Sequence, residues 1–112
     1  MDKIEKYRNA IMELIQKYGN FKPSNAEVDV QLIFDTERDH YLLYTVGWQK
    51  DDRAHGCVFH FDIIGGKVWI QHNGTDVEVG EELMERGVAR EDIVVAFHPP
   101  EMWKFTDYAK SA

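Results

Sequence analysis

The 112-residue chain sets 20 acidic against 13 basic side chains, a net charge of -7, so its average field repels phosphate and disfavours autonomous binding to duplex DNA. With 44% hydrophobic and 12% aromatic residues it holds the apolar material of one core, and residues 1–112 are read as a single domain. The lone Cys57 excludes an internal disulfide, and neither an apolar run of roughly 18 to 20 residues nor a secretory h-region is present, which points to a cytoplasmic protein.

Asp2 is placed to cap a first helix, with Glu5 as its capping-box partner. Ile4, Tyr7, Ile11, Leu14, Ile15 and Tyr18 then recur at helical spacing, and Gly19 stands at the expected C′ position. The hydroxyls of Tyr7 and Tyr18 are expected to be wet. Residues 21–26, with Pro23 and Asn25, read as a loop. Val28, Val30, Leu32 and Phe34 alternate with polar residues as a half-exposed strand. A polar connection over residues 35–39 leads to a second strand over residues 40–48, rich in aromatic and β-branched side chains on both faces. After a charged turn over residues 49–53 comes the most regular stretch of the chain, residues 56–73. Here Cys57, Phe59, Phe61 and Ile63, then Val68 and Ile70, keep a period of two around Gly65-Gly66, the signature of a β-hairpin.

Thr75 or Asp76 can cap a second helix near residues 77–86, with Gly87 past its last turn; Val77 and Val79 can alternatively prolong the strand. Residues 93–97 have the length and apolarity of a strand, which His98-Pro99-Pro100 ends, and Cys57 reads as a buried small hydrophobe. Residues 102–109 are ambiguous. The order predicts an α+β fold. An antiparallel meander of about four strands plus a short C-terminal strand packs against an N-terminal amphipathic helix and a second short helix.

A two-residue Gly65-Gly66 turn pairs Ile63 with Val68, Phe61 with Ile70 and Phe59 with His72 on an apolar face. The opposite face pairs Asp62 with Trp69, His60 with Gln71 and Val58 with Asn73. His60, Asp62, Trp69, Gln71 and Asn73 thereby form a candidate interaction surface. The same face admits a metal-assisted hydrolase or nuclease, with His60 as a base or ligand beside Asp62 and with Gln71 or Asn73 orienting substrate. One Cys and five scattered His offer no recognisable zinc-ligand spacing, so neither metal nor cofactor is assigned. No phosphate-binding loop, dinucleotide fingerprint, nucleophile elbow or HExxH helix occurs, and no catalytic residue is assigned. Asp76, Glu78, Glu81, Glu82 and Glu85 form a second candidate, an acidic docking surface for a basic partner. Trp69, Trp48 and Trp103 could instead seed a homodimer of a self-associating structural module.

Taken together, IFDTERDHYLLYTVGW, GCVFHFDIIGGKVWIQHNGT, EELMERGV and EDIVVAFHPP resemble the XisI family, the fdxN element excision controlling factors of cyanobacteria. The resemblance runs over nearly the whole chain. It implies a small α+β protein that acts with a companion XisH protein in excision of a DNA element by a separate recombinase during heterocyst differentiation. It brings no catalytic residue to carry over. The expectation is therefore a non-enzymatic accessory factor that binds a XisH-like partner and meets DNA only indirectly or within a complex.

Overall fold

Asp2 sets where the first helix begins. In the computed structural model, which describes residues 2–20 and 27–109, its carboxylate accepts the Glu5 backbone N–H at 2.8 Å and opens helix α1, Lys3–Gly19. Such a cap satisfies a backbone donor that the helix itself cannot, worth about 1 kcal/mol. Tyr7, Ala10, Ile11, Leu14 and Ile15 are the buried stripe of α1. Gly19 is still helical, and Asn20 takes the C-cap in the ordinary right-handed region. A Cβ at Gly19 would stand 2.9 Å from Leu32 Cδ1, so this glycine serves a close approach to the sheet and not a left-handed C′. The predicted loop at residues 21–26 lies outside the described residues.

The five strands are β1 (Glu27–Asp35), β2 (His40–Gln49), β3 (Asp52–Ile64), β4 (Lys67–Asn73) and β5 (Ile93–Val95), neighbours in that order. The first four pair antiparallel, as the meander predicts. The fifth pairs parallel to β4, because the chain returns through α2 (Val79–Glu85) before re-entering the sheet; a parallel pair requires such a crossover. The fold is α+β, with one face of the sheet under α1.

That face carries the main core: Tyr41, Leu43, Phe59, Phe61, Ile63, Val68 and Ile70 meet the α1 stripe together with Val79, Leu83, Val88 and Ile93. Each large side chain so buried contributes about 1.5–3 kcal/mol. Tyr7 departs from the expected wet hydroxyl. It is buried and donates to Asp92 Oδ2 at 2.6 Å, while its oxygen accepts the Ala89 N–H at 3.2 Å. A second, smaller core lies on the other face, where Val94, Trp103 and Ala109 pack with Trp69. The 3-10 segment Pro100–Phe105 holds Trp103 there, its indole N–H donating to the His98 carbonyl at 2.9 Å.

Helix α2 is shorter than its pattern suggests. Thr75 caps a turn, with Oγ1 accepting from the Val77 N–H and donating to Asn73 Oδ1, so the helix starts at Val79 with no side-chain cap. Its end is as predicted. Gly87 adopts φ +100, its N–H meets the Met84 carbonyl, and the Val88 N–H meets Leu83, the paired bonds of a Schellman motif. No helix among the described residues is long and apolar enough to cross a membrane.

Candidate functional site

The hairpin forms as its pattern requires. Gly65 and Gly66 take φ of 60 and 80, the doubly left-handed conformation that lets a two-residue turn follow the strand twist. Near the turn the predicted pairs hold: Ile63 with Val68, Asp62 with Trp69, Phe61 with Ile70. Beyond them a bulge intervenes, and His60 pairs with His72 while Phe59 pairs with Asn73, leaving Gln71 as the extra residue. The slip exchanges the expected positions of His72 and Asn73. His72 is exposed opposite His60, whereas Asn73 joins the other face and fastens the following loop, its amide donating to the Val77 carbonyl at 2.9 Å.

A second bulge, between β2 and β3 at Leu43/Tyr44, sets His40 directly opposite Asp62. Asp62 is thereby the centre of a cluster. Its Oδ1 lies 2.8 Å from His40 Nδ1 and 3.0 Å from His60 Nε2, and its Oδ2 accepts from Gln71 Nε2 at 3.1 Å. Asp62 is only 6% exposed, while His60 is half-buried and His40 open to solvent. Hydrogen bonding and charge from Asp62 raise the His40 pKa above the ordinary imidazole value. The strand end that holds His40 is tied down by its neighbour. Asp39 accepts Arg8 Nε at 2.7 Å and the Tyr41 hydroxyl at 2.8 Å, and its carbonyl accepts the Ile63 N–H at 3.1 Å.

Three of the five candidate surface residues therefore converge, His60, Asp62 and Gln71, and His40 joins them. Trp69 is on the same face but not exposed. Its ring meets that of Trp103 edge-on at 5.9 Å, and its indole N–H is buried without a partner among the described residues. Trp103 is also buried, so among the three tryptophans only Trp48, 50% exposed, keeps the character expected of an interface seed. Cys57 is half-buried, not fully buried, and burial pushes its thiol pKa up, the opposite of an activated nucleophile.

The acidic set divides as well. Asp76, Glu78, Glu81 and Glu85 are exposed. Glu82 instead accepts from Lys17 Nζ and Arg86 Nη1, each at 3.1 Å, and these contacts hold its carboxyl below the usual glutamate range. It links α2 to α1.

Fold and site together define a small α+β protein in which one helix covers a five-stranded sheet and the opposite face bears a histidine–carboxylate cluster. The chain belongs to the XisI family: the family profile described as XisI protein matches residues 1–110. A XisI-like protein from Anabaena variabilis is 43% identical, with a TM-score of 0.89, covering 99% of this chain and 100% of that one. A protein of the same organism described as fdxN element excision controlling factor XisI is 32% identical, with a TM-score of 0.84 over 98% of this chain and 100% of its own. No curated protein is a significant match.

Proposed function

We propose that this protein is a non-enzymatic accessory factor that controls site-specific excision of a DNA element and acts through contacts with a XisH-like protein. The observation that carries this reading is family membership over nearly the full chain, together with a 32%-identical relative described as an excision controlling factor. Charge supports it. A chain of net charge -7 repels the phosphate backbone, whereas the exposed Asp76, Glu78, Glu81 and Glu85 suit a basic protein surface.

A tagged protein should retain its neighbouring XisH-like product at low salt and release it as salt rises, with no retention of duplex DNA by the tagged protein alone. Reversing the four exposed acids to Lys should weaken capture at least about tenfold, as expected when a complementary patch turns repulsive. These side chains face solvent, and because Glu78 and Glu81 stand at the start of α2, circular dichroism of the variant checks that the helix is retained. Capture of DNA without the partner, or partner capture indifferent to the reversal, would overturn the proposal or its assignment of the contact surface respectively.

A further inference from the structure

The cluster around Asp62 has a geometry that hydrogen bonding alone leaves underused. One ligand atom from each of His40, His60 and Asp62 lies within 4.8 Å of the other two, and His40 Nδ1 and His60 Nε2 approach Asp62 Oδ1 at 2.8 and 3.0 Å. Donor atoms on a shared ion, with bonds of about 2.1 Å, stand about 3.0 Å apart at right angles and about 3.4 Å apart at the tetrahedral angle. We propose that His40, His60 and Asp62 form a binding site for a divalent first-row transition ion.

Four features of the site argue for it. The donors are two imidazoles and one carboxylate, a set that suits zinc, iron(II), cobalt(II) or nickel(II); calcium and magnesium prefer oxygen donors. All three come from adjacent, paired strands, His40 opposite Asp62 and His60 two residues before it, so the sheet fixes their spacing before any ion arrives. Asp62 is nearly buried and its carboxylate faces two imidazoles and a carboxamide, so a cation held between the imidazoles and the carboxylate would sit against a buried negative charge. Gln71, the bulge residue, donates to the second carboxylate oxygen at 3.1 Å and fixes its orientation from outside the donor set.

The outer side of the cluster is open. The His40 side chain is 50% exposed and that of His60 33%, so three protein donors leave coordination positions facing solvent. That is the arrangement of a site that accepts water or an anionic oxygen donor, as distinct from a closed structural site with four protein ligands. The proposal is independent of the excision reading.

The test is calorimetric titration of the chelator-stripped full-length protein with Zn2+, and absorption spectroscopy with Co2+. One equivalent should bind per chain, with d–d bands of a mixed nitrogen–oxygen site. His40→Ala, an exposed substitution that leaves the core alone, should weaken binding at least about 100-fold, as should His60→Ala; Gln71→Leu should weaken it about 10- to 100-fold, the range for an orienting partner. Zn2+ should raise the melting temperature of the wild type and not of His40→Ala, whose unliganded melting temperature reports its folding. Absence of one-equivalent binding, or binding that His40→Ala and His60→Ala leave intact, would overturn the assignment, the latter by placing the ion on other histidines.

Discussion

Tyr7 and Asp92 show how one buried polar pair joins the two ends of the chain. Burial alone would raise the Asp92 carboxyl, but the Tyr7 hydroxyl at 2.6 Å and the Lys3 ammonium at 2.9 Å outweigh it and hold its pKa below the ordinary aspartate value. Tyr7 moves the other way, raised first by burial and then by donating to Asp92. Tyr7→Phe removes a donor from a buried carboxylate and an acceptor from the Ala89 N–H, and should cost about 1–3 kcal/mol in urea unfolding. The pH dependence follows from the depressed folded pKa. Unfolded Asp92 titrates near its reference value of about 3.9. Its stabilisation is present above that pH and is lost as pH falls through the lower folded value. Asp92→Asn should therefore flatten the acid limb of the stability profile below about pH 4 while leaving its slope near neutrality unchanged. An acid limb as steep as the wild type's would remove Asp92 from the account.

At the scale of the element, the Gly65-Gly66 turn is the best-determined joint, and its chemistry makes a discriminating prediction. Both residues have positive φ, and no heavy atom stands within 4 Å of a Cβ built at Gly65. Asparagine tolerates that conformation and valine does not. Gly65→Asn should leave the chemical-denaturation midpoint nearly unchanged, whereas Gly66→Val should cost at least about 1–2 kcal/mol. This turn was legible because glycine pairs and period-two alternation are local signals. So was the α1 stripe, from Tyr7 to Ile15. The two bulges were not legible, since nothing in the run from Phe59 to Asn73 marks Gln71 as the residue that escapes pairing. Their consequence is large: each slips one strand by a single residue, which turns side chains to the opposite face. An unbroken ladder from the 50–51 turn would have set His40 against Phe61, and the histidine–carboxylate cluster would not exist. The cluster is a product of register, and register depends on packing across the whole sheet. The parallel sense of β5 was hidden for a similar reason, because a three-residue strand carries no directional signal of its own.

At the scale of the molecule, the sheet is covered unequally. Helix α1 and its partners cover one face, while among the described residues the other carries a smaller core near β4 and β5, formed with residues that follow the last strand. Trp103 is the keystone of that cover. It is 7% exposed, meets Trp69 edge-on at an interplanar angle of 86°, and donates to the His98 carbonyl; further along, the Ala109 N–H returns to the Ile93 carbonyl at 2.8 Å. These contacts form a cluster separate from the α1 core, so their loss should act locally before it acts globally. Trp103→Ala should cost about 3–5 kcal/mol, the usual range for deleting a buried indole. Near-UV circular dichroism from the Trp69–Trp103 pair should vanish while the far-UV helix signal of α1 survives. Amide exchange at Ala109 should accelerate far more than at Phe61 or Ile70, which lie under α1. If those amides accelerate in step with Ala109, the two faces unfold as one unit, and the C-terminal segment is then part of the main core and not a cover laid over the open face.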